Sequence, residues 1–226
     1  LSDPESTCDA ATIVLESVRH AALAASAGHD AAHDALHLQR VVTNALRLAD
    51  EELAAGKAVD RFVIEAAAWL HDIVQLPKGE GPAGESARRS AAGARTTLSE
   101  LGVDDATIDA VAHAIETHSF SGGLRPATLE AAIVQDADRL DALGAIGIAR
   151  LWVTGASLGG TLYHADDPAG ERRELDDRTF GLDHIERKLL RLPDLMNTPS
   201  GRAEAARRAA FIASYRAEFL RELGVK

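Results

Sequence analysis

Cysteine occurs once in this 226-residue sequence, at Cys8. A lone thiol excludes a disulfide framework and any zinc site built on cysteine pairs. Aromatic residues are also scarce, at 4% of the chain. Strands draw on aromatic and β-branched side chains, and helices draw on alanine. The scarcity of the first beside an abundance of the second favours helix. No apolar run approaches the ~18 residues of a membrane span. The N-terminal stretch Leu1 to Asp9 is polar and acidic, which is not the pattern of a signal peptide. A cytoplasmic protein is expected. Positive charge is in deficit, 24 Lys and Arg against 35 Asp and Glu, for a net charge of −11. That balance argues against a general nucleic-acid surface, although it leaves room for a local basic pocket that takes a phosphorylated small molecule. What is present, 46% hydrophobic and 26% charged residues, is the composition of a globular protein with a sizeable core.

Periodicity predicts helices along the whole length and no strand. The first covers residues 7–26 and stops at Gly28. A polar stretch with His29, Asp30, His33 and Asp34 follows. Asp34 caps a second helix to about Ala55, where His37, Arg40 and Asn44 form one polar stripe beside the apolar face. Asp60 caps a third helix, which ends at Trp69-Leu70-His71-Asp72. Residues 74–84 read as a loop placed to cover whatever His71 and Asp72 hold. A fourth helix runs from Glu85 to Leu101. A fifth is capped by Asp104 or Asp105 and ends near His118, ahead of a loop at 119–126. A sixth runs from about Ala127 to Trp152 with a break, and Gly144 and Gly147 in it suggest close helix packing. Residues 154–181 are Gly- and Asp-rich and read as a long loop or lid. A short helix at His184–Leu192 is closed by Pro193. Thr198 and Pro199 open the last helix, whose packing stripe is read as Ala203, Ala206, Ala210, Phe211, Ala213, Tyr215, Phe219 and Leu220. The expected fold is all-α, a single domain over 1–226 with a core at about 30–153 and a C-terminal extension at about 154–226.

Titratable groups at a buried helix end are costly unless paired. A metal ion pairs with an imidazole nitrogen and a carboxylate oxygen together, so His71-Asp72 is a candidate half-site. His37 and an acid from the cluster Asp136, Asp138 and Asp141 are candidates for the remainder. The acidic cluster lies among Val134, Ala137, Leu140 and Leu143, which is an unusual setting for a solvated face.

The order His…His-Asp…Asp resembles that of the HD-domain superfamily of metal-dependent phosphohydrolases. The local contexts His-Leu-Gln-Arg-Val (37–41), Ala-Ala-Trp-Leu-His-Asp-Ile (67–73), Ile-Glu-Thr-His-Ser (115–119) and Gln-Asp-Ala-Asp-Arg-Leu-Asp-Ala-Leu-Gly-Ala-Ile-Gly-Ile-Ala-Arg (135–150) are similar to those of a compact bacterial subgroup. That subgroup includes a nucleotide pyrophosphatase. The likeness covers about residues 30–220. It implies an HD-like helical globule with His37, His71, Asp72 and Asp138 as metal ligands. Asp138 is preferred to Asp136 because it stands in the Ala-Asp-x-Leu context of the family ligand. It implies a divalent cation, Mn, Mg, Fe, Co or Ni. Asp72 is then the candidate orienting group or general base, and Asp141, one turn from Asp138, the candidate for orienting a ligand or water. Arg40, His118, Lys78, Lys188 and Arg202 are candidates for substrate phosphate, with a second metal as the alternative for His118. His33 and Asp34 are candidates for buttressing His37.

The expected activity is hydrolysis of a nucleoside triphosphate to monophosphate and pyrophosphate, by a monomer or homodimer whose partner is a phosphorylated small molecule rather than nucleic acid or membrane. The alternatives are a 5′-nucleotidase-type phosphomonoesterase, a di-iron HD oxygenase and a non-catalytic metal- or nucleotide-binding module. The oxygenases use extra histidines after the His-Asp pair, and helix four (Ser86-Ala87-Arg88-Arg89-Ser90) has none. Alarmone hydrolases carry a Glu-Asp pair where this chain has Ile73-Val74-Gln75-Leu76. A complete ligand set argues against a non-catalytic module.

Overall fold

The computed structural model describes residues 4–28, 34–76, 81–119 and 122–225. These adopt the expected all-helical architecture, with no strand among the described residues and one isolated parallel bridge, Thr161 to Phe180. Among them no helix is long and apolar enough to cross a membrane. The backbone divides into two compact units, Leu1–Asp138 and Arg139–Lys226. The expected cover loop at 74–84 lies partly outside the described residues, and Lys78 and His33 lie outside them.

The first unit holds α1 (Pro4–Ala25), α2 (Ala35–Ala54), α3 (Arg61–Leu70), α4 (Glu85–Glu100), α5 (Asp105–His118) and most of α6 (Leu129–Asp141). Three of these start as the sequence predicts. The carboxylates of Asp34, Asp60 and Asp104 accept the backbone N–H groups of His37, Val63 and Thr107 at 2.9, 3.1 and 3.1 Å, relieving donors that have no partner inside the helix. Helix α3 is the centre of the unit. Val63, Ile64, Ala66, Ala67, Ala68, Trp69 and Leu70 are all buried. A helix buried over most of its residues must be surrounded, and α1, α2, α4 and α5 all pack on it. Burial of a side chain such as Ile64 or Leu70 is worth about 2 kcal/mol. The central position of α3 therefore places its polar end, His71 and Asp72, inside the unit.

Beyond Asp72 the chain is strapped to α4. Val74 donates its N–H to Ser90 Oγ at 3.0 Å, and Leu76 donates to Ser86 Oγ at 3.3 Å. Ile73 lies over Gly93, where a Cβ would come within 3.1 Å of Ile73 Cδ1.

The second unit begins in the last turn of α6 and holds α7 (Gly144–Ser157), α8 (Gly181–Arg187), a 3₁₀ helix (Leu189–Leu195) and α9 (Pro199–Glu222). The expected break in helix six falls at Ala142-Leu143, and α7 runs five residues past Trp152. Of the two glycines there, Gly147 does something more local than the expected helix packing. At Gly147 a Cβ would stand 2.1 Å from the Ala142 carbonyl oxygen, so this glycine serves the tight turn between α6 and α7. Gly144 (φ 72°) does face another helix, with the Arg208 side chain of α9 at 3.4 Å from a notional Cβ.

Between α7 and α8 the loop is tied down by its own charges. Buried Asp183 accepts two hydrogen bonds from the Arg173 guanidinium, at 2.5 and 2.7 Å, and one from the Asp176 N–H at 2.7 Å. Asp167 accepts from the N–H groups of Glu171 and Arg172 at 3.2 and 2.8 Å.

Two expectations are corrected here. The helix read over His184–Leu192 is instead α8 ending at Arg187, followed by the 3₁₀ segment. Lys188, at φ −122° and ψ −61°, breaks the first, and Pro193 sits inside the second rather than closing it. The packing face of α9 is also rotated from the one read. The buried residues are Gly201, Ala205, Ala209 and Ile212, while Ala203, Ala206, Ala210, Phe211 and Ala213 are exposed. Alanine occurs all around this helix and so does not mark a face. The start of α9 is as expected, with Thr198 Oγ1 accepting the Gly201 N–H at 2.9 Å.

Candidate metal centre

Three helices and one helix end meet at a buried polar cluster. His37 is in the first turn of α2, His71 is the C-cap of α3, Asp72 follows it, and Asp138 lies near the end of α6. His118 closes α5. His37 and His71 are fully buried, and Asp72 and His118 are buried.

The backbone decides how the histidines present themselves. The last carbonyls of a helix have no partner within it. At the end of α3 the His71 ring turns back, and its Nδ1 hydrogen-bonds the Ala68 carbonyl at 2.8 Å. At the end of α5, His118 Nδ1 does the same to the Ile115 carbonyl at 2.6 Å. A carbonyl accepts, so Nδ1 carries a proton in both rings, and in His118 a second proton on Nε2 faces the Asp72 carboxylate. In neutral His71 this leaves the Nε2 lone pair pointing inward. Burial drives the His71 pKa down to about 4, against the opposing pull of Asp72, and keeps the ring neutral.

His71 Nε2 stands 3.3 Å from His37 Nε2. Asp72 Oδ2 lies 3.5 Å from His71 Nε2 and 3.7 Å from His37 Nε2. Asp138 Oδ1 lies 3.6 Å from His37 Nε2 and 4.0 Å from His71 Nε2. One atom from each of His37, His71 and Asp72 falls within 4.8 Å of the others, a grouping suited to a metal ion. Ligand bonds of about 2.0–2.2 Å would separate neighbouring donor atoms by roughly 3–3.5 Å, close to the spacing found. A lone pair of His71 facing a second imidazole and two carboxylate oxygens is a donor set that a divalent cation satisfies.

Burial alone would raise the Asp72 pKa. The neighbouring imidazoles, His71 first and then His118 and His37, outweigh that and hold the carboxyl well below its usual range. His118 Nε2 lies 3.4 Å from Asp72 Oδ1. Burial would lower the His118 pKa, but the Asp72 carboxylate more than offsets it and the net shift is upward.

The residues singled out from sequence fare differently. His37, His71, Asp72, Asp138 and His118 are brought together. Asp136 is fully buried two residues before Asp138. Asp34 acts on the backbone of His37, as the cap of α2. Arg40 sits one turn after His37 on α2, partly exposed. Asp141 belongs to the second unit, where it is buried and ion-paired with Arg150. Lys188 lies in that unit between α8 and the 3₁₀ helix, and Arg202 donates to the Met196 carbonyl at 3.0 Å. Sequence reasoning missed Gln135. It is buried on α6 one turn before Asp138, and donates to the Thr117 carbonyl at 2.6 Å. Its only signal was a polar residue in an otherwise apolar stretch.

A helical fold with this His…His-Asp…Asp cluster defines a class, and the comparisons agree with it. The HD domain family model matches residues 34–143, and the chain is a member of the HD-domain superfamily and a metal-dependent phosphohydrolase. The Bacillus subtilis protein YpgQ is 35% identical over 197 residues, which cover 84% of this chain and 82% of that protein. The crystal structure of B. subtilis YpgQ in complex with ADP superposes with a TM-score of 0.72 at 30% identity, covering 94% of this chain and 96% of that one. An HD-superfamily hydrolase from Bacillus thuringiensis superposes at 0.73 and 30% identity, covering 96% and 100%.

Proposed function

We propose that this phosphohydrolase acts on nucleotides, hydrolysing a nucleoside triphosphate to monophosphate and pyrophosphate. The observation that carries the reading is the convergence of His37, His71, Asp72 and Asp138 on one point, in a chain similar along nearly its whole length to a protein crystallised with ADP. In this reading those four residues hold a divalent cation, which polarises a phosphoryl oxygen and acidifies a water when bound. Asp72, low in pKa and therefore ionised, lends an oxygen to the cation and orients the attacking water. Arg40, one turn from His37, balances phosphate charge. His37, His71 and the two carboxylates suit Mn²⁺, Mg²⁺, Fe²⁺, Co²⁺ or Ni²⁺.

The test is a panel of nucleoside mono-, di- and triphosphates and simple phosphate esters with each of these metals. Wild-type protein is expected to release pyrophosphate from triphosphates, and Asp72→Ala to release none. Phosphate released from monophosphates, with no pyrophosphate from triphosphates, would replace this reading with a phosphomonoesterase. Full activity in Asp72→Ala would overturn the assignment of the site.

A further inference from the structure

The Asp72 carboxylate is divided between two neighbourhoods. Oδ2 faces the two imidazoles, 3.5 Å from His71 Nε2 and 3.7 Å from His37 Nε2. Oδ1 faces the other way, 3.4 Å from His118 Nε2. The terminal torsion of an aspartate is soft and nearly two-fold. A carboxylate with neither oxygen held would not present one defined oxygen to a ligand site.

His118 is well placed to remove that freedom. Its ring is fixed by the 2.6 Å bond from Nδ1 to the Ile115 carbonyl and packs edge-on to the His71 ring, centroids 4.8 Å apart. The backbone that carries it is fixed in turn. Gln135, on the helix that bears Asp138, donates to the carbonyl of Thr117, the residue before His118, at 2.6 Å, and to the Leu124 carbonyl at 3.4 Å.

We propose that His118 is a positioning residue for Asp72. By holding Oδ1 it turns Oδ2 toward the point where His37 and His71 converge, and Gln135 keeps His118 in place from α6. This rests on the reading of Asp72 as a metal ligand. It takes His118 away from the substrate, where the sequence had placed it, and gives it an orienting partnership with a ligand.

The experiment is calorimetric titration with Mn²⁺ alone on wild-type protein, His118→Asn and His118→Gln, with KM for ATP measured in parallel. Asparagine places its amide where Nδ1 was and keeps the bond to Ile115. Glutamine places its amide near Nε2 and keeps the bond to Asp72. His118→Asn is expected to bind Mn²⁺ about 10- to 100-fold more weakly, and His118→Gln to stay within a few-fold of wild type. KM is expected to be unchanged in both, and wild type to take one ion per chain. Equal Mn²⁺ affinity in all three overturns the proposal, as does equal weakening in both variants. A raised KM with unchanged Mn²⁺ affinity assigns His118 to substrate and overturns it too. Two ions in wild type and one in both variants would make His118 a ligand itself. Wild type that binds Mn²⁺ but hydrolyses no nucleotide defeats the proposed function and leaves this inference standing, whereas failure to bind Mn²⁺ defeats both.

Discussion

A histidine at the end of a helix can satisfy an orphan carbonyl and fix its own tautomer with one bond. His71 does this, and its value to the site is the Nε2 lone pair that results. The acids are distinguished by direction. Asp138 points Oδ1 at both inward-facing imidazole nitrogens and is 26% exposed, while Asp136, two residues earlier, is fully buried. Asp138→Asn is therefore expected to weaken Mn²⁺ binding by roughly a hundredfold or more while the metal-free protein keeps its Tm. Asp136→Asn is expected to do the reverse, lowering stability by about 1–3 kcal/mol with Mn²⁺ affinity near wild type. Titration calorimetry and thermal melts on the two variants check both, and exchanged phenotypes would reassign the ligand. At this scale the sequence was most legible where the residue type itself declares the chemistry, as at His37, His71, Asp72 and Asp138. It was least legible at Gln135, Ser86 and Ser90. An amide or a hydroxyl does its work only where the fold puts a backbone partner opposite it, and composition carries no trace of that.

Elements were legible to the extent that their ends carry a local chemical signal. Asp34, Asp60, Asp104 and Thr198 each mark a start, because a short polar side chain can reach the N–H three residues on. Thr198→Ala is expected to cost about 1 kcal/mol, read as a lowered Tm. Asp104 adds a pH signature. Hydrogen bonds from the Thr107 hydroxyl and N–H hold its carboxyl below the ordinary aspartate range. A carboxyl depressed in the folded state contributes stability that is complete above its unfolded pKa and is lost as pH falls through the folded value. Asp104→Ala should therefore melt below wild type at pH 7, with the gap closing as pH falls below the ordinary carboxylate range. A gap that persists there would assign the loss to something other than the carboxylate. The face of α9 and the 3₁₀ segment carried no such signal, since alanine does not mark a face and Pro193 permits a 3₁₀ turn. The strap after Asp72 was equally silent, and it can be tested at Gly93. Alanine there needs Ile73 to give by a few tenths of an ångström, whereas a branched side chain displaces it, and Ile73 adjoins Asp72. Gly93→Val is expected to lose Mn²⁺ affinity about tenfold, as an indirect effect on a ligand's support. Gly93→Ala should stay near wild type. Unchanged affinity in Gly93→Val would show that Asp72 does not depend on the strap.

At the scale of the molecule, the candidate ligands come from the start of α2, the end of α3 and the last part of α6. A cation held by all four would cross-link segments far apart in sequence, and it would bind the native arrangement alone. Binding of that kind stabilises by mass action, by about 2.7 kcal/mol when free metal is a hundred times Kd. For a chain of this length that corresponds to a Tm rise of roughly 5–10 °C. Protein stripped by a chelator should melt lower by this amount and recover on adding Mn²⁺, with Tm continuing to climb as metal exceeds Kd. Hydrogen exchange should slow on metal addition in α2, in the last turn of α3 and in α6, because each loses an independent way of opening. Asp72→Ala should show neither response, since its remaining donors are two imidazoles and one partly exposed carboxylate. A metal-dependent Tm that survives in Asp72→Ala would place the stabilising ion elsewhere, and the cluster at His37, His71 and Asp138 would then have to be explained without it.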